Sequence, residues 1–284
     1  MELDIPVPDF STLSRRGVLL QGFMGGFYSG PVVGYLFAKG CRREPFIVID
    51  FKRAHYPKAM IVHAVFFYVR YAVSYRDLGQ ILAERGVSVD HATLNRWGVK
   101  YSPLIATKAQ AKKRATAVSW RMPSRDIAVQ CPAETYIKVK GKWTYYYRAI
   151  DKFGKTLDFM LSEHLVEAAA TAFFTRAISN NGFPDRVVID KSGANFAGLQ
   201  NMNCLLILSG WFWLIEVLQV KYLNNIIEQG HRFIKKLTRQ MKGFKSFKSA
   251  SATLEGIEVA HMIRKQQFET SGQSAFKQFA ALAG

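Results

Sequence analysis

Apolar residues follow no regular period through the first 45 positions, which are rich in glycine, so residues 1–50 are assigned to an extension without defined elements. From Pro57 the pattern becomes helical. Ile61, Val62, Val65, Phe66, Val69 and Val73 recur at helical spacing and predict an amphipathic helix over 58–72. Ser74 stands three residues before Asp77, a capping-box spacing that opens a second helix. Leu78, Ile81 and Leu82 form its buried face, and Gly86 stops it. A short turn over 87–89 leads to a third helix from Asp90 to Tyr101, with Leu94 and Trp97 inward. Residues 102–119 are polar and basic, and read as a linker or as a basic helix.

The period then switches from helical to alternating. The run TYIKVKGKWTYYYRAIDKFGKTLDFMLS, Thr135 to Ser162, predicts three antiparallel strands joined by tight turns at Gly141 and Gly154. A helix over 165–180 and a short buried strand over 186–189 follow, and the apolar run 204–215 reads as a buried strand or helix. From Asn224 onward the chain is helical again. Strands followed by alternating helix, strand and helix predict an α/β domain whose helices cover a sheet.

Charge changes the picture. Lys and Arg number 39 against 21 Asp and Glu, a net charge of +18, and a field of that sign attracts a polyanion such as nucleic acid. Three helices with a tight turn between the last two then read as a helix-turn-helix. In that geometry His91, Thr93, Asn95, Arg96 and Lys100 face DNA; an ordinary three-helix bundle with a wet polar face is the alternative. Cys41, Cys131 and Cys204 lie far apart without metal-ligand spacing, so neither a zinc site nor a disulfide framework is expected and a reducing cytoplasm fits. The uncharged stretch from Gly17 to Ala38 follows Arg15 and Arg16 like an export signal, but its glycines, Pro31 and missing cleavage site argue against export, and no membrane partner is expected.

Two acidic residues stand out. Asp190 directly follows the 186–189 strand, at the carboxyl edge where open α/β sheets build sites, although Asp at a strand end is also a common helix cap, the favoured reading for this residue taken alone. Glu228 lies in VKYLNNIIEQGHRFIKKLTR, a helix with Asn225, Glu228, Arg232, Lys235 and Arg239 on one face and Leu223, Ile226, Ile227, Phe233, Ile234 and Leu237 on the other. A carboxylate on a surface made for phosphate is electrostatically wasteful unless it holds a cation. An ion pair with Arg232 is the competing reading. From 230 to 250 no acidic residue occurs, while Lys236, Lys242, Lys245 and Lys248 extend the basic track, with Phe244 and Phe247 interleaved.

Five blocks in order, VRYAVSYRDLGQILAERGVSVDHATLNRW, ETYIKVKGKWTYYYRAIDKFGKTLDFMLS, VIDKSGAN, VKYLNNIIEQGHRFIKKLTR and GFKSFKSASATLEGIEVAHMIRK, strongly resemble insertion-sequence-six family transposases. The resemblance implies a ribonuclease-H-like catalytic domain preceded by an all-α helix-turn-helix domain. It divides the chain into an extension (1–50), a DNA-binding domain (51–104), a basic linker with an atypical insert (105–134), a catalytic domain (135–268) and a tail (269–284). It implies an Asp, Asp, Glu triad binding two Mg2+ or Mn2+ ions, and cleavage and strand transfer at terminal inverted repeats into target DNA. A homodimer or larger assembly in the bacterial cytoplasm, associated with the nucleoid, is expected on the same ground. The second Asp falls on Asp190 and the Glu on Glu228.

The first Asp does not fall on an acidic residue. It should precede the Glu-Thr-Tyr-Ile-Lys-Val strand, where this chain has Ala133. Ser119-Trp120-Arg121-Met122 resembles the usual lead-in, and Pro123 to Ala133 stand where the family has one residue. Asp126 and Glu134 are nearby, but neither is an evident replacement, since residue 134 points to the opposite face of a strand from residue 133. Gly230 also replaces an Asp usual in the family. The resemblance therefore implies a chain that keeps its fold and DNA binding while cleavage is weak or lost.

Overall fold

The computed structural model describes residues 48–52, 54–122, 136–164, 166–189, 193–208, 214–219, 233–239, 241, 243–269 and 272–284. Three helices come first: α1 (Lys58–Arg70), α2 (Tyr75–Ala83) and α3 (His91–Lys112). The capping box is present, with the Ser74 hydroxyl accepting from the Asp77 amide at 3.1 Å and the Asp77 carboxylate accepting from the Ser74 amide at 3.1 Å. Gly86 follows α2 with φ +77°, a left-handed conformation that side chains resist. The third helix does not end at Tyr101. It runs on through Pro103 to Lys112, because Ile105, Ala106 and Ala109 continue its buried face.

The sheet contains β1 (Ser119–Met122), β2 (Tyr136–Val139), β3 (Lys142–Asp151), β4 (Thr156–Ser162), β5 (Arg186–Ile189) and β6 (Glu216–Gln219). Strands β2, β3 and β4 are the three antiparallel strands expected from the alternation. Lys140 and Gly141 both take positive φ, 49° and 81°, which matches a two-residue hairpin turn to the strand twist. At the next turn the Asp151 carboxylate accepts from the amides of Phe153 and Lys155, each at 2.9 Å. β1 lies antiparallel to β3 and parallel to β5, and β5 lies parallel to β6. Helices α4 (Glu167–Asn181) and α5 (Gly193–Leu208) supply the crossovers.

Each face of the sheet is covered. On one face Trp120, Met122, Tyr147, Ala149, Val187 and Ile189 pack against Phe173, Phe174 and Ile178 of α4 and Leu199, Met202 and Leu206 of α5. On the other, Ile137, Val139, Tyr146, Phe159 and Leu161 join one core with α1–α3, residues 233–239, α6 (Phe247–Arg264) and α7 (Ala275–Leu282). Helix α6 is the central post of that core. Gly256 allows close approach there, since a Cβ on it would stand 2.6 Å from Val69 Cγ1 and 2.9 Å from Ser102 Oγ. Among the described residues of the apolar run after Cys204, Leu206 and Ile215 are enclosed, whereas Leu205, Ile207 and Leu208 are exposed at the end of α5.

Candidate nucleic-acid and carboxylate site

The N-terminus of α3 is capped by Asp90, whose carboxylate accepts from the Ala92 amide at 3.0 Å and pairs with His91 Nδ1 at 2.9 Å. Leu94 and Trp97 face the core, as the periodicity predicts. The five polar residues assigned to this helix divide into two rows. Thr93, Arg96 and Lys100 share one: Arg96 Nη2 donates to Thr93 Oγ1 at 3.2 Å, and Arg96 and Lys100 line a recess with Lys52 and Trp97. His91 and Asn95, one turn apart, lie on a neighbouring strip. Arg96, Lys100 and His91 are exposed, while Thr93 and Asn95 are half-buried.

The basic track has a similar anchor. In segment 233–239 Ile234 and Leu237 are buried, Lys235 is half-buried and Arg239 is exposed. Phe233 stacks on His261 at 4.6 Å between ring centres and carries Arg264 over its outer face at 5.6 Å. Lys245 and Lys248 are exposed, but Phe244 is buried and belongs to the core rather than to a surface for DNA. The Phe244 carbonyl accepts from the Lys140 amide at 2.8 Å, which holds this segment against the end of β2. Asp190, Glu228, Arg232, Asp126, Ala133 and Glu134 lie outside the described residues.

The strand that Asp190 follows in the sequence has a defined register. Met122 and Ile189 are Cα partners at the carboxyl ends of the parallel strands β1 and β5. The next residues in the chain are Pro123 and Asp190. Among the described residues no group of three or more His, Cys, Asp or Glu could hold a metal ion, and no helix is long and apolar enough to cross a membrane.

Sequence reasoning missed one buried polar cluster. Arg148, in the middle of β3, donates from Nε to Glu258 Oε1 of α6 at 2.6 Å, and both side chains are buried. Tyr146 Oη donates to the same oxygen at 3.0 Å, and Arg148 Nη2 donates to Thr156 Oγ1 at 2.9 Å. Burial opposes ionisation of Glu258, but Arg148 and His261, with the hydrogen bonds from Arg148 and Tyr146, hold its carboxyl below the usual range. Burial lowers the His261 pKa to about 3. Burial, followed by the repulsion of Arg148, lowers Lys265 to about 8. The available signal was a charged residue inside each of two otherwise apolar runs, YYYRAI and GIEVA.

Residues 129–267, which include the mixed sheet from β2 onward, match the family model described as a DDE domain, of the IS240 type. The chain is 37% identical over 224 residues to the transposase for insertion sequence-like element IS431mec of Staphylococcus aureus strain Mu50, covering 76% of this chain and 89% of the relative. The transposase for insertion sequence element IS257 in transposon Tn4003 of Staphylococcus aureus matches with the same identity and coverage. The chain belongs to the insertion-sequence-six family of transposases. Similar solved structures include the HTLV-2 integrase catalytic core domain in complex with magnesium, at a TM-score of 0.38 and 14% identity over 58% of this chain and 98% of that one. A simian T-cell lymphotropic virus intasome in complex with PP2A regulatory subunit B56 gamma has a TM-score of 0.38 and 15% identity over 60% of this chain and 56% of that one.

Proposed function

We propose that this chain is an insertion-sequence transposase that binds terminal inverted repeats and target DNA as a homodimer or larger assembly, with Asp190 and Glu228 as the surviving members of its metal-binding triad. The observation that carries the reading is the β1–β5 register. Met122 is the partner of Ile189, the last residue of β5, and Asp190 follows Ile189 in the sequence, which supports a site at the carboxyl edge of the sheet. The strand order, three antiparallel strands followed by two parallel ones, supports a ribonuclease-H-like domain. Segment 233–239, which follows Glu228 closely in the sequence, packs in the core on the opposite sheet face from Met122 and Ile189.

DNA binding rests on α3 and the basic track. Arg96 and Lys100 present their charge from one row, and Arg239, Lys245 and Lys248 are exposed on the other element. Such residues neutralise phosphates and make affinity depend steeply on salt. The helix-turn-helix reading gives His91, Thr93 and Asn95 the role of base and backbone contacts in the major groove. A nucleoid-associated protein of the bacterial cytoplasm follows from this role.

Divalent metal supplies this family's chemistry, and Asp190 and Glu228 are hard oxygen donors suited to Mg2+ or Mn2+. They do not make a full set. Two carboxylates are one short of the triad that would neutralise a pair of such ions, and Pro123 after Met122 offers no donor side chain. The residues present therefore favour a chain that binds DNA and cleaves it weakly or not at all.

Gel-shift and nicking assays on DNA from the element's ends test both halves. Binding is expected to fall for Arg96→Ala and Lys100→Ala, with a shallower salt dependence by about one unit each. Nicking in Mg2+ or Mn2+ is expected to be weak or absent. Salt-independent binding would remove the DNA-binding half. Robust nicking abolished by Asp126→Ala would show that the triad is complete after all.

A further inference from the structure

We infer that β1 and β2 are the two halves of one strand, split by ten residues more than that strand can hold, and that removing them re-creates the position of the first metal-binding carboxylate. The inference deepens the proposed function and rests on it only for the metal.

Both half-strands lie along the same edge of β3. β4 pairs with β3 at Tyr145 and at Ile150, so β2, opposite Tyr145, and β1, opposite Ile150, must both occupy the other edge. Both run antiparallel to β3, in the same direction as each other. Trp120 is the partner of Asp151. Six steps along, an uninterrupted strand would set its sixth residue after Trp120 against Tyr145. The residue found there is Tyr136, the sixteenth. Thirteen residues separate Met122 from Tyr136, and the register has room for three.

The faces agree with this count. Ten is even, so residues of the same parity face the same side in β1 and β2, and removing ten restores one unbroken alternation. Trp120 and Met122 pack on the α4–α5 side, as does Tyr145, which touches Tyr136 edge-on at 5.1 Å. Ile137 packs on the opposite side with Tyr146. The chemistry of the break agrees too. Pro123 follows Met122 at once, and proline cannot donate to a ladder within a sheet.

Three positions restored between Met122 and Tyr136 would be filled by Ala133, Glu134 and Thr135 once residues 123–132 are removed. Ala133 would then stand opposite Arg148 in β3 and next to Asp190 across β5. The missing carboxylate belongs at that position. It follows that the chain lost its first triad member by separation of two half-strands as well as by the substitution at 133.

The test compares full-length chains lacking residues 123–131, 123–132 or 124–134, which remove nine, ten and eleven residues. The ten-residue deletion is expected to fold with a thermal midpoint at or above that of the parent, and the other two to melt lower or fail to fold, since each turns β2 over. A nine- or eleven-residue deletion as stable as the ten-residue one, or failure of all three to fold, overturns the inference. Ala133→Asp is then added to the ten-residue deletion and titrated with Mg2+ and Mn2+ alone. A metal-dependent rise in midpoint that the deletion alone lacks, and nicking of end DNA lost on Asp190→Asn, complete the expected result. A folded ten-residue deletion that, with Ala133→Asp added, neither binds metal nor nicks leaves the strand inference standing and overturns the metal site of the proposed function.

Discussion

Truncating Glu258 should be among the most damaging single changes in this protein. Its carboxylate is wholly enclosed and receives Arg148 Nε at 2.6 Å and Tyr146 Oη at 3.0 Å, with Arg148 Nη2 and Thr156 Oγ1 on its second oxygen at 3.3 and 3.2 Å. Glu258→Ala leaves the Arg148 guanidinium buried without its counter-charge, and Arg148 Nη1 already lacks a partner among the described residues. Lys265 loses an attractive neighbour at the same time. Breaking a buried pair from one side costs about 3–5 kcal/mol. With a urea m-value of about 2 kcal/mol/M, the unfolding midpoint should fall by about 2 M. Urea titration followed by tryptophan fluorescence measures it. The pair's net contribution is a separate quantity, and Arg148→Met with Glu258→Leu should recover at least half of the loss because no lone charge remains. A Glu258→Ala loss below about 1 kcal/mol, or a double variant no better than the single one, would refute the account.

Two further outcomes follow from the same core. His261 is neutral in the folded protein down to about pH 3, while the unfolded chain takes up its proton near 6.5; stability is therefore complete above pH 6.5 and declines as pH falls towards 3. Each unit below 6.5 costs about 1.4 kcal/mol, so by pH 4.5 wild type should lose roughly 2–3 kcal/mol that His261→Phe keeps, and parallel stability-pH curves for the two would contradict this. Gly256→Ala forces a methyl within 2.6 Å of Val69 Cγ1 and 2.9 Å of Ser102 Oγ and should destabilise by about 1–2 kcal/mol despite the better helix propensity of alanine, with Val69→Ala costing less alongside Gly256→Ala than in wild type; thermal melts of the single and double variants check it.

Local patterns carried much of this protein into view. The capping box at Ser74, the paired glycine turns at 141 and 154 and the alternation through 135–162 were legible because each depends on neighbours a few residues away. The basic excess and the blocks shared with a transposase family likewise needed no coordinates, and neither did the expectation that Ala133 stands where the resemblance calls for an Asp. Packing decided the rest. That α3 continues to Lys112, that Phe244 turns inward, and that Arg148 meets Glu258 across 110 residues depend on which surfaces are buried together, and burial is a property of the assembled chain. The ten surplus residues were legible in the sequence, since the eleven from Pro123 to Ala133 stand where the family has one, but that β1 and β2 share one edge of β3 was not. A strand's alternation reads equally well with or without an interruption, and the hydrogen-bonded partner β3 shows that its two halves lie along one edge in a common direction.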